Sequence, residues 1–170
     1  MTDECKIFRH QGWNSIFPVP GVDDVGDRMH ARNEFSQIGM AKLQGSWQLV
    51  YQKMNARKLP DENAAEMFNG KMVFAGEKIR YTVELPGFDF GFAYQLHPAH
   101  QPKEIDLELI QSRDRQDIGQ KLLGIYLLEG DSLKICHSKT KRPADFDAGE
   151  RSQNVLIVLK RKLSERGGEK

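Results

Sequence analysis

A chain of 170 residues, 39% of them hydrophobic, is long enough for one domain with one real core. Lysine and arginine number 25 against 24 aspartate and glutamate, and the resulting net charge of +1 excludes the strongly basic face of a dedicated nucleic-acid binder. The mean hydropathy of −0.59 reflects polar loops and strand faces rather than disorder, and no apolar run approaches the ~20 residues that span a bilayer, so neither nucleic acid nor membrane is expected as a partner.

The N-terminus, MTDECKIFRHQGW, lacks a basic segment followed by an apolar stretch, so no secretory signal is read and a cytoplasmic location is expected. In that reducing compartment Cys5 and Cys136 are free thiols. Residues 1–28 contain Gly12, Pro18, Pro20, Gly21 and Gly26 and no sustained period, which predicts an irregular arm. Phe8, Trp13, Ile16 and Phe17 are too many large apolar groups for a free tail, so part of the arm should pack on the domain or on a partner. From Met29 to Leu43, Ala31, Phe35, Ile38 and Ala41 recur at helical spacing. Gly39 opposes this helix by about 1 kcal/mol relative to alanine, and Gly45 ends it.

Beyond Gly45 the pattern is that of strands. Ile79, Tyr81, Val83 and Leu85 alternate with charged or polar residues, as do Ile105, Leu107 and Leu109, the signature of antiparallel faces half buried and half wet. Less regular runs lie at 46–54, 70–75, 90–96, 121–128, 132–137 and 153–162, separated by turn chemistry such as Ala75-Gly76-Glu77 and Glu129-Gly130-Asp131-Ser132. A small helical insertion is predicted at 61–68, capped by Asp61. The basic run Lys160–Lys162, with Arg166 and Lys170, reads as a solvated strand end and tail. Three segments result: an arm over 1–28, a domain over 29–163 and a tail over 164–170. About eight antiparallel strands without βα alternation make an all-β domain, either a closed barrel or a two-sheet sandwich.

Leu43-Gln44-Gly45-Ser46-Trp47 places a G-x-W motif at the start of the first strand, behind a short helix. Gln101-Pro102-Lys103-Glu104-Ile105-Asp106-Leu107, Leu122-Leu123-Gly124-Ile125-Tyr126, Gly130-Asp131-Ser132-Leu133-Lys134-Ile135-Cys136, Arg142-Pro143-Ala144-Asp145-Phe146 and Leu159-Lys160-Arg161 follow in order. This series resembles a bacterial family of lipocalin-like domains described first from planctomycetes, with one departure at Gln101, where the family has lysine. Residues 1–42 lie outside the resemblance. It implies an eight-stranded lipocalin-like (calycin) barrel in which Trp47, after Gly45, plugs one end. A basic residue late in the last strand, Arg161 or Lys160, would then pack across the indole, a contact of ~1–2 kcal/mol. It implies no activity, because the family's own role is unassigned.

Several residues are candidates for chemistry. Tyr81, Tyr94 and Tyr126, with Arg80 and Arg142, could give a barrel cavity its polar contacts; Arg142 has the competing role of pairing with Asp106, Asp145 or Asp147 to fix a long loop. His97 and His100, with Cys136 and His137, fall short of a convincing metal set, and loop histidines in solvent are the plainer reading. Cys136 and His137 are adjacent on a strand and point to opposite faces, so they do not form a nucleophile–base pair. Gly87-Phe88-Asp89-Phe90-Gly91 is an aromatic turn, not a phosphate loop, and closes or gates one barrel mouth. No cofactor is expected. The leading function is a non-catalytic binding module that holds a small apolar or amphipathic ligand or presents its surface to a protein. The alternative is an isomerase- or cyclase-type enzyme needing an inward acid–base pair such as Tyr126 with Asp106 or Glu108. A third reading docks a protein partner through the aromatic arm.

Overall fold

The computed structural model describes residues 34–59, 69–84 and 89–162. The expectations for the arm over 1–28, the insertion at 61–68, the Gly87-Phe88 half of the aromatic turn and the tail over 164–170 lie outside them. Helix α1, described over 34–43, precedes strands β1 (Gly45–Met54), β2 (Arg57–Leu59), β3 (Lys71–Ala75), β4 (Lys78–Thr82), β5 (Asp89–His97), β6 (Glu104–Gln111), β7 (Lys121–Glu129), β8 (Ser132–Ser138) and β9 (Val155–Arg161). Each strand pairs antiparallel with its neighbour in the order β1-β3-β4-β5-β6-β7-β8-β9, and β9 pairs back onto β1. The sheet therefore closes, which removes the edges a sandwich would leave. The barrel has eight staves; the short β2 adds a hairpin partner to the far end of β1. The described helix is not long and apolar enough to cross a membrane.

Closure depends on β1, whose single strand must follow two neighbours around a sharp curve. Trp47 and Leu49 face the interior, and the register to β9 then slips at Val50. This bulge reverses the alternation. Tyr51 consequently packs outside, while Gln52 lines the interior.

One end of the barrel is packed solid. Trp47 and Leu43 are fully buried, joined there by Phe74, Leu96, Ile105, Leu133 and Leu159. The Trp47 Nε1–H donates to the Leu43 carbonyl at 2.8 Å. Arg161, directly opposite Trp47 in the register, lays its guanidinium 4.2 Å from the indole centroid. The same guanidinium donates from Nη1 to the Gln44 carbonyl (2.9 Å) and from Nη2 to the Lys42 carbonyl (2.6 Å). These carbonyls lie at and just beyond the C-terminus of α1, where a helix has no acceptors' partners of its own and its dipole favours a cation. Arg161, not the outward Lys160, is thus the residue over the tryptophan. Gly39, unfavourable for the isolated helix, sits where a Cβ would come within 3.3 Å of Leu96 Cδ1; its cost is offset by the close approach of α1 to the barrel end.

A second, smaller core lies outside the barrel wall. Ile125, Cys136, Leu156 and Val158 project outward and are covered by Phe146 and Ala148 of the loop between β8 and β9. Both faces of these last strands are buried, which explains their continuous apolar runs.

Replacing Arg161 with alanine removes the indole contact and two charged hydrogen bonds at once, and should cost about 2–4 kcal/mol in urea-induced unfolding. Lysine at this position keeps the charge but not the planar fork, and should recover less than half of the loss. A loss below about 0.5 kcal/mol for Arg161→Ala would show that the barrel end closes without this contact.

Candidate functional site

The half of the barrel away from Trp47 is not filled. A cavity of about 230 Å³ opens among Met72, Ile79, Phe92, Leu107, Leu122, Ile135 and Ile157, with Tyr81, Phe90 and Val155 nearer the rim. The alternation that sends Phe74, Tyr94, Leu133 and Leu159 into the packed end sends Met72, Phe92, Ile135 and Ile157 into the cavity, two residues along the same strands. Its polar lining consists of Gln52, Asp117, Gln120, His137 and Lys139 in addition to the Tyr81 hydroxyl. Tyr81 donates to Gln52 Oε1 at 3.3 Å and stacks on Phe90 with centroids 6.5 Å apart. Burial raises the Tyr81 phenol above its ordinary value, so it stays a neutral donor.

His137 is a half-buried polar group of this wall, paired across the β8–β9 seam with Val155. It stands directly across from Gly124 in the β7–β8 register. A Cβ at Gly124 would lie 3.2 Å from the His137 Cβ and 3.0 Å from the Cys136 carbonyl, so the glycine of L-L-G-I-Y makes room for the imidazole. The ring borders the cavity, yet Nδ1 is shut away from it and has no hydrogen-bond partner. Desolvation, with a smaller contribution from the positive charge of Lys139, pushes the imidazole pKa down to about 4.

Of the five ligand-contact candidates from the sequence, Tyr81 alone lines the cavity. Tyr94 belongs to the packed end: its hydroxyl donates to the Gly76 carbonyl at 2.9 Å, accepts from Gln44 Nε2, and its ring meets Phe74 edge-on at 5.4 Å. Tyr126 is buried in the same end, beside the Gly39 approach. Arg80 points outward and forms an exposed two-pronged pair with Asp89, at 3.0 and 2.6 Å. The bond raises the guanidinium pKa and lowers that of the Asp89 carboxyl. Arg142 also lies outside the barrel. It donates to the Gly124 carbonyl (2.6 Å) and Asp106 Oδ1 (2.5 Å), and its Nε is 3.3 Å from Glu104 Oε2. Its loop-fixing role is the one found, with Asp106 as partner.

That outer network includes His97, the last residue of β5, and His100 in the turn that follows. His97 Nε2 lies 3.0 Å from Asp106 Oδ2, and His100 Nδ1 lies 2.8 Å from Glu104 Oε2. They are partners of strand carboxylates rather than freely solvated side chains, and among the described residues no metal-ligating group of three or more forms. Cys136 faces outward under the loop, its thiol pushed up to about 11, mainly by burial and then by the Asp145 and Asp147 charges, which makes it a poor nucleophile. Tyr126 faces inward while Asp106 and Glu108 are on the outer face, so the acid–base pair considered for catalysis is not assembled.

His137, Gln52, Gln120, Asp117 and Lys139 were not singled out as cavity residues in the sequence. His137 was within reach, since it continues the inward series Leu133, Ile135. Gln52 was not, because the Val50 bulge alone turns it inward. No family model matches the chain, and no curated protein matches it.

Two outcomes follow. Because His137 has a folded-state pKa below its unfolded value, the unfolded chain binds more protons between about pH 4 and 6.5, and stability falls as pH drops through that window. His137→Leu should flatten this dependence by about 1.5–2 kcal/mol in denaturation series at pH 7 and pH 5; an unchanged slope would place the titration elsewhere. Arg142→Ala should speed hydrogen exchange in the loop from 139 to 154 while leaving exchange in β3 and β4 unchanged.

Proposed function

We propose that this protein is a non-catalytic binding module that holds a small apolar or amphipathic molecule in the open half of its barrel. The observation that carries the reading is the division of the interior: one end sealed by Trp47 and Arg161, the other left as a cavity of about 230 Å³ with apolar walls and few polar groups. A well-packed core does not leave such a void without a cost in stability. The ordered motifs from Leu43 to Arg161 support membership of the planctomycete lipocalin-like family. The indole–guanidinium contact, the Gly124–His137 pair and the Arg142 anchor give three of those motifs a physical role. A cytoplasmic site of action belongs to the same reading.

Native mass spectrometry of freshly purified protein, compared with the denatured sample, is the direct test. A retained small molecule should appear as extra mass that denaturation removes. Ile135→Trp, which fills the void, should abolish that mass and leave the melting temperature within a few degrees of the parent. Retention of the same mass by the filled variant would place the ligand outside the barrel.

A further inference from the structure

We infer that the ligand, if the cavity is the binding site as proposed above, is an uncharged molecule about the size of two fused rings, with one hydrogen-bonding oxygen directed at His137. Size comes from the void itself. An apolar cavity of about 150 Å³ accepts benzene, and about 230 Å³ is roughly half as large again. It falls below the ~300 Å³ at which sites for drug-sized ligands begin, so the part of the ligand that the walls enclose is about two fused rings.

The absence of charge in the ligand follows from the walls. Among the described lining residues, formal charge is carried by Asp117 and Lys139, which are of opposite sign and flank the cavity from the β6–β7 loop and the end of β8. The deep wall is Met72, Ile79, Phe92, Leu107, Leu122, Ile135 and Ile157. A carboxylate or ammonium pressed against that wall, away from Asp117 and Lys139, would lose its water without an ion-pair partner and cost several kcal/mol; because the Lys139 charge reaches His137, the carboxylate is the ion the probes must exclude.

Polarity comes from His137. With its pKa near 4 the ring is neutral at physiological pH. Nδ1 is buried without a partner, and a buried lone pair is less costly to orphan than a buried N–H. The proton therefore sits on Nε2, the ring nitrogen left to meet a ligand, where it donates to an acceptor oxygen. A hydroxyl or carbonyl answers that donor; a plain hydrocarbon leaves it unsatisfied. The Tyr81 hydroxyl already donates to Gln52 Oε1, and the two side chains serve as the second polar wall.

Four probes of one shape separate the possibilities: naphthalene, 2-naphthol, 2-naphthoate and the ammonium of 2-naphthylmethylamine, titrated calorimetrically into the full chain at pH 7. 2-Naphthol should bind five- to tenfold more tightly than naphthalene, and both ions at least tenfold more weakly than 2-naphthol. His137→Phe should erase the advantage of 2-naphthol and leave naphthalene within twofold. His137→Gln, which keeps a donor, should restore part of it. The inference is overturned if 2-naphthoate or the ammonium binds best, or if naphthalene equals 2-naphthol in the parent protein, a comparison that needs no variant to fold. Failure of all four probes would instead overturn the proposed cavity function.

Discussion

The contact between Trp47 and Arg161 joins the first strand of the barrel to the last, and most of the architecture depends on where it falls. A closed sheet needs its terminal strands held in one register, and here the β1–β9 backbone ladder ends at a guanidinium that covers the indole and also answers the Gln44 and Lys42 carbonyls at the end of α1. Helix, plug and seam are thereby fixed by one planar cation. Because the contact fills one end, the inward side chains Met72, Phe92, Ile135 and Ile157, two positions along their strands from the plug, fall into the other half. The cavity is the complement of that plug.

The outer wall is organised by a different principle. The loop between β8 and β9 is long, and a loop of that length must find partners for its backbone or remain in solvent. Arg142 ties it to Gly124 and Asp106, Asn154 donates to the Asp147 carbonyl, and the Ala148 carbonyl accepts from the Ala56 amide. Phe146 and Ala148 then cover an apolar outer face that would otherwise be exposed on β7, β8 and β9. The histidine and carboxylate groups around Arg142 are part of this strap. Charge is concentrated outside the wall; among the described residues lining the cavity it is carried by Asp117 and Lys139.

Gly124 links the two sides. Its carbonyl receives Arg142 from the outside, and its missing side chain makes room for His137 on the inside. A change at this residue would disturb the loop anchor and the cavity wall together. The pairing of a glycine with a bulky partner across strands is a familiar way to cover exposed backbone, and in this barrel it accompanies a ring whose Nδ1 is buried without a partner.

Much of the fold was legible from residue order. The strict alternation of β4 and β6 and the turn chemistry between strands predict an antiparallel all-β domain behind a short helix, because periodicity and turn propensity are local properties of the chain; closure into a barrel rather than a sandwich was implied by the motif resemblance alone. The separation of Cys136 from His137 onto opposite faces follows from the same local rule. What the sequence could not determine is where along the barrel each inward residue falls. Tyr81 and Tyr94 are equivalent by pattern, yet one lines the cavity and the other braces the plug, because closure at Trp47 and Arg161 decides which end is filled. Arg80 and Arg142 carry the right chemistry for a ligand, but sheet closure leaves them outside, where carboxylates on neighbouring strands or loops claim them. Gln52 enters the cavity through a bulge whose cause is the curvature of a closed sheet. Residue type and alternation were local and readable; the division of the interior into plug and cavity is a property of the closed ring, and the tertiary structure alone decided it.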